Sequence, residues 1–130
     1  MQDTDDWSGG YMDHARLNLA AAEDMLTGGL AAEAISSSFL AMVYAARAAL
    51  GRTDRDMGDM KEVVELFQAE AVPSLSLSKG NQRSLVIVGE LYRQVEVTHE
   101  MEADPLTASA CINDAREFVN ELEEKIGLSE

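Results

Sequence analysis

Arg93 and His99 are the residues whose types and spacing most directly suggest chemistry. The arginine is followed, after five intervening residues, by one of only two histidines in a chain of 130. A guanidinium fork grips phosphate well, and an imidazole moves a proton near neutral pH. Metal-free cleavage of RNA asks for both functions. A base must take the proton of the 2′-hydroxyl nucleophile, and a cation must steady the charge gathering on phosphorus. Gln94, directly after the arginine, adds a polar group able to orient a substrate. A plainer reading stands beside this one: Arg93 pairs with Glu90 or Glu96, and His99 is solvated in a loop. The other histidine, His14, sits beside Asp13 and reads as a surface residue.

Geometry constrains the pair. On one continuous α-helix, six positions are about 9 Å apart along the axis and about 120° apart in direction. The two side chains then miss a common phosphate. Either the helix ends before His99, or the site combines residues from two subunits. Val95, Val97 and Thr98 are β-branched and resist helix continuation, which predicts an end near residues 97–99.

The elements that must hold this pair are helical by pattern. Met12, Ala15, Leu19, Ala22 and Leu26 form one stripe over residues 10–27, stopped by Gly28-Gly29. A second helix is expected over 30–50, with Ile35, Phe39, Met42, Val43, Ala46 and Leu50 as its main stripe and Gly51 as its stop. Its other faces carry Ser36, Ser37, Ser38, Ala41, Ala45 and Ala48. Small residues nearly all round predict a central helix approached from several sides. A polar turn covers 51–59, and a short third helix is expected over 57–71, ended by Pro73. A Ser-rich loop over 73–82 leads to a fourth helix over 81–97. The last helix has Asp104 as N-cap and Pro105 at its first position, and Gly127 closes it. The expected fold is all-α: an up-and-down four-helix bundle with an additional short helix. Residues 10–130 form one domain behind an acidic segment, 1–9, expected to be disordered.

Composition narrows the function classes. Hydrophobic residues make up 46% of the chain but aromatics only 5%, so the core must be built from Ala, Leu, Val, Ile and Met. A lone cysteine, Cys111, excludes an internal disulfide framework and a multi-cysteine zinc site. Glu96 and His99 make one Glu-x-x-His, whereas a di-iron bundle needs two and further glutamates. The run from Asp54 resembles a calcium loop at its first and third positions, then departs from it at Gly58 and Asp59. No metal or other cofactor is therefore expected. The net charge is −14, with 24 acidic residues against 10 basic. Such a field repels nucleic acid in dilute salt and suits a salt-rich cytoplasm. At molar salt the screening length falls to about 3 Å, and only local contacts matter. The start of the chain lacks the basic and apolar runs of a secretion signal. The longest apolar stretch, around 39–50, is interrupted by Arg47 and too short to span a bilayer. A cytoplasmic protein without membrane contact is expected.

The stretch Ser38 to Leu50, Ser-Phe-Leu-Ala-Met-Val-Tyr-Ala-Ala-Arg-Ala-Ala-Leu, resembles the hallmark helix of the HEPN superfamily of small helical-bundle proteins. The first helix, with Ala15, Leu19, Ala22 and its Gly28-Gly29 stop, is similar to that family's opening helix. The Ala-x-x-Phe-Val pattern of its closing helix appears as Ala115-Arg116-Glu117-Phe118-Val119. The likeness covers about residues 11–127. It implies a four-helix core, a homodimer, and in many members a metal-independent ribonuclease. The site of those members is an arginine followed four to six residues later by histidine near a helix end, doubled across the dimer axis. Arg93 and His99 match that motif as catalytic residues, and Gln94 matches the polar residue after the arginine as a substrate contact. Many members are toxins encoded beside a small nucleotidyltransferase antitoxin. Members lacking the motif are held to bind nucleotides or partner proteins. Phe39 and Leu40 stand where two tyrosines are common, and Met101 stands where ribonuclease toxins often carry a tyrosine.

Overall fold

The computed structural model describes residues 8–51, 59–99 and 102–127. Every regular element among them is helical. Helix α1 spans Ser8–Thr27 and α2 spans Ala31–Leu50. Along α1, Met12, Ala15, Leu19 and Ala22 are buried as the stripe predicts, and Tyr11 joins them. Gly29, at φ 83°, turns the chain out of α1. The Leu30 N–H donates to Met25 O at 2.8 Å and the Gly29 N–H to Leu26 O at 3.1 Å. This crossed pair satisfies carbonyls that the helix end would otherwise orphan, and it needs a left-handed residue at the corner.

Helix α2 is the centre of the molecule, as its small residues predict. It packs against α1 and against the helices described below as α3, α5 and α6. Ala34, Ala41, Ala45 and Ala46 are wholly buried on it, beside Ile35 and Met42. Ser38 is equally buried, and its Oγ donates to Ala34 O at 2.8 Å, so no donor is left unsatisfied there.

Helix α3 spans Met60–Leu66. Asp59 caps it reciprocally with Glu62: the Glu62 N–H donates to Asp59 Oδ1 at 3.0 Å, and the Asp59 N–H to Glu62 Oε1 at 3.1 Å. The run from Asp54 lies outside the described residues up to Gly58, and its last member, Asp59, serves as this cap. The helix does not stop before Pro73. A π-helical turn, Phe67–Ala71, follows α3 and leads into α4, Val72–Leu75, with Pro73 in its first turn. A proline clashes with the carbonyl four residues back and lacks an N–H. Shifting the preceding turn to five-residue spacing, with the Val72 N–H on Phe67 O, widens the helix where that clash would fall, so the chain passes through Pro73 without leaving helical geometry. Ser76, at φ 54°, ends α4 instead.

Helix α5 spans Lys79–Tyr92 and continues as a second π-helical turn, Arg93–Val97. Ser78 caps it, its Oγ accepting from the Asn81 N–H at 3.2 Å. Helix α6 spans Pro105–Lys125 and starts as expected, with Asp104 Oδ1 accepting from the Thr107 N–H at 2.8 Å. The core is closed by Phe67 against Phe118, ring centroids 5.6 Å apart. Cys111 lies buried on α6, and burial, then the nearby charge of Asp114, pushes its thiol up to about 11. Ion pairs Arg16–Glu123 and Arg116–Glu23 tie α1 to α6 at the surface, where such pairs contribute little each. Of the lead-in expected over residues 1–9, Ser8 and Gly9 open α1, and the rest falls outside the described residues. Among those described, no helix is long and apolar enough to cross a membrane.

The close approach around α2 is testable by overfilling it. Ala45→Leu, at a fully buried position, is expected to lower stability by about 1–3 kcal/mol or more. The check is the urea midpoint at unchanged m-value, read against Ala20→Leu on the exposed face of α1.

Candidate functional site

The chemistry-bearing residues sit at the C-terminal end of the fourth long run of helix. Leu85 and Val88 bury the inner face of α5, and Val95 carries that face into the π-helical turn. The turn is pinned to α2 from outside, where Ser36 Oγ donates to Glu96 Oε2 at 2.6 Å. Val95, Val97 and Thr98 cluster there. Their β-branched stems crowd a normal α turn, and the wider π turn gives them room. It closes with the Thr98 N–H on Arg93 O at 2.9 Å. Helix ends at Val97, as the β-branched run predicts.

His99 then takes φ 57°. Left-handed backbone costs a residue with a Cβ roughly 1–2 kcal/mol, although histidine visits it more readily than most. The imidazole is exposed. Because the helix has already ended, the 120° divergence of a continuous α-helix no longer governs where it lies relative to Arg93.

Arg93 lies on the outer face, about half exposed. Its Nε donates to Glu90 Oε1 at 3.1 Å and its terminal nitrogen to Glu90 Oε2 at 2.5 Å. The Gln94 amide donates to the same Oε2 at 3.0 Å. One carboxylate thus gathers both of the polar residues singled out in the sequence. Those hydrogen bonds, Arg93 first and Gln94 second, hold the Glu90 carboxyl down at about 2. It is therefore charged throughout the pH range of RNA chemistry. Arg93 and Gln94 are brought together; among the described residues, His99 makes no hydrogen bond to this group. The Arg93–Glu90 pairing is the plainer arrangement weighed from the sequence; a guanidinium fork that holds two carboxylate oxygens in this way also matches two oxygens of a phosphate.

Two features were not read from the sequence. A groove of about 430 Å³ runs beside Arg93 between α2, α3 and α5. Phe39 and Tyr92 meet in it with ring centroids 4.9 Å apart. The available signal was Gly89 inside the apolar stripe of α5, where a Cβ would come within 3.0 Å of the Phe39 ring. Elsewhere, exposed His14 stacks on Tyr44 at 5.1 Å, and the Arg47 guanidinium lies 6.0 Å from the centre of the Tyr11 ring. The spacings Tyr11–His14 and Tyr44–Arg47, each of three on a helix, pointed to such a cluster. Among the described residues, no three His, Cys, Asp or Glu side chains gather to hold a metal ion.

Comparison with protein-family models matches residues 10–125 to the HEPN domain. Comparison with curated proteins finds no match.

Two predictions follow from this geometry. His99→Gly relieves the left-handed backbone, so it is expected to raise stability by about 0.5–1 kcal/mol after the extra entropy of an unfolded glycine is counted; the measurement is the thermal midpoint against His99→Ala, which gains nothing. For Glu90, the open chain binds its proton near 4.5 and the fold near 2. The pair therefore stabilises the fold above pH 4.5, and that contribution drains away as pH falls toward 2. Glu90→Gln should flatten this part of the acid limb, and the difference should shrink in high salt because the pair is exposed.

Proposed function

This chain belongs to the HEPN domain family, which its match over residues 10–125 establishes, and we propose that it is a metal-independent endoribonuclease. The reading includes the family's further properties: the long helices as an up-and-down four-helix bundle, a homodimer, and a place as toxin or effector beside a nucleotidyltransferase antitoxin. What carries it is one observation. The helix bearing Arg93 stops at Val97, and His99 stands exposed on left-handed backbone just beyond it. The imidazole is thereby released from the helical direction that would keep it from a phosphate held by the guanidinium.

In this mechanism Arg93 exchanges Glu90 for the scissile phosphate, and Gln94 stays beside it to orient a non-bridging oxygen. His99 takes the 2′-hydroxyl proton. The 2′-oxygen attacks phosphorus, the bond to the 5′-oxygen breaks, and the products are a 2′,3′-cyclic phosphate and a 5′-hydroxyl. The leaving oxygen needs a proton, and the same histidine of a second copy across a two-fold axis supplies it. Each site then needs two protomers.

A second reading is favoured by the Glu90 clamp and by the net charge of −14. Both oppose polyanion binding at low salt. On that reading the protein is a non-catalytic dimer that binds a nucleotidyltransferase partner or a nucleotide.

The test is cleavage of single-stranded RNA by purified protein with divalent metal chelated, at about 0.1 M and about 1 M salt. Cleavage is expected to be stronger at the higher salt, where screening over about 3 Å removes the global repulsion. It should fall by about 100-fold or more in Arg93→Ala and in His99→Ala, the usual scale for losing a general base or an electrostatic stabiliser. Glu90→Gln should instead strengthen phosphate binding several-fold at low salt. Absence of cleavage at both salts overturns the ribonuclease reading in favour of the binding module.

A further inference from the structure

The π-helical turn Arg93–Val97 differs from its counterpart at Phe67–Ala71 in one respect. The earlier turn makes room for Pro73, whereas no proline follows the later one before Pro105. Five-residue spacing is rare in helices and recurs at functional sites. Two further features of the same short segment are unfavourable. His99 stands on left-handed backbone, at φ 57°, which strains a residue with a Cβ. Among the described residues, Thr98 Oγ1 is the one buried side-chain oxygen or nitrogen without a hydrogen-bond partner, and a buried hydroxyl in that state costs stability. An ordinary α turn would remove both. A threonine hydroxyl within an α-helix bonds to the carbonyl three or four residues back, here that of Val95 or Gln94, and His99 in such a helix takes right-handed backbone. Three contacts oppose that change. The Thr98 N–H donates to Arg93 O at 2.9 Å, Val95 is buried against the core, and Ser36 Oγ on α2 donates to Glu96 Oε2 at 2.6 Å. Closing the turn to four-residue spacing rotates the residues after Arg93 about the helix axis. Val95 then swings out of the core, and Glu96 leaves Ser36.

We propose that residues 93–99 are a two-state segment that switches the site by helix register, with the Ser36–Glu96 hydrogen bond as the latch that holds the π register. The inference rests on the reading of Arg93 and His99 as a working pair and adds how that pair is regulated. In the α register the two residues stand six positions apart on one helix and point about 120° apart, so they miss a common phosphate and the site is off. In the π register the helix ends before His99, and the site is on. A lost hydrogen bond and a relieved left-handed residue are changes of the same order, which is what allows both registers to be populated. A ligand that touches both residues binds the π register alone and draws the population to it. The fraction of free protein already in that register scales the ligand's apparent affinity.

The experiment is NMR of the isotope-labelled full chain without RNA, on wild type, Ser36→Ala, Glu96→Gln and Thr98→Val. Exchange between registers in microseconds to milliseconds should give relaxation dispersion at the amides of residues 94–99 and leave those of 82–90 flat. The Cα and Cβ shifts of His99 report its backbone region. Ser36→Ala should move them toward right-handed helical values, with the register ratio changed about 2- to 10-fold, the range for one hydrogen bond. Glu96→Gln keeps an acceptor for Ser36 and should stay near wild type. Thr98→Val keeps the β-branch, deletes the hydroxyl and should move His99 the other way. Cleavage of single-stranded RNA should follow the same order, lowest in Ser36→Ala and highest in Thr98→Val. Flat dispersion over 94–99, with His99 shifts that report one backbone region in all four proteins, overturns the switch even if RNA is cut. Shifts that move as stated while no RNA is cut uphold the switch and overturn only the ribonuclease reading. Shifts that move while cleavage stays equal in all four proteins overturn the coupling of register to the site, and the proposal fails.

Discussion

The close approach of helix backbones around α2 is the constraint on which the other features depend. Alanine at 34, 41, 45 and 46, all wholly buried, keeps the neighbouring axes near. Little apolar bulk is available from aromatics, so the core is made by proximity and not by large side chains. Packing of this kind has no slack, because a filled interior has almost no voids to absorb an added methylene. The same tightness reaches the site. Phe39, on α2, meets the backbone of Gly89, on α5, and this contact sets how far α5 stands from the centre. Ser36, one turn earlier on α2, reaches Glu96 in the π-helical turn. The position of Arg93 is thus referred to the rigid centre at two points, one on either side of it.

The charge around Arg93 is balanced in the absence of any ligand. Glu90 accepts from both Arg93 and Gln94, and its carboxyl is held well below the usual range. A cation waiting beside −14 net charges would otherwise collect whichever acidic side chain reached it. A fixed local partner gives it a defined orientation. If Arg93 holds a phosphate as proposed, that phosphate displaces a carboxylate, and the gain from binding is the difference between two similar charge-assisted pairs. On the proposed reading, high salt favours the ligand because it screens the global repulsion.

Much of the architecture was legible because helices announce themselves in period and punctuation. The stripe Met12–Ala15–Leu19–Ala22, the caps at Gly29, Gly51 and Asp104, and the small faces of α2 all have direct physical meaning in one dimension. Pro73 misled because its effect depends on the turn before it: with five-residue spacing over Phe67–Ala71, the clash that ends a helix is absent. Nothing in residue type alone distinguishes an α from a π turn there. At the site, the helix end at Val97 was readable from β-branching, and Glu90 was readable as a neighbour of Arg93 at helical spacing. The groove was not, because it joins Phe39, Met60 and Tyr92 from three elements, and their juxtaposition exists only after the helices have packed. Gly89 was the one trace of it in the sequence, and a lone glycine in a helix has many explanations.

Cys111 carries a consequence of its own. Its thiol is enclosed by α6 and its neighbours, and burial holds it protonated up to about 11. Thiolate is the reactive species in alkylation, so the native chain is protected twice over, by access and by ionisation. As the single cysteine of the protein, it reports on one event: separation of α6 from the rest. The rate at which a maleimide or iodoacetamide consumes it is a clock for that opening, with no label introduced and no second thiol to confuse the reading.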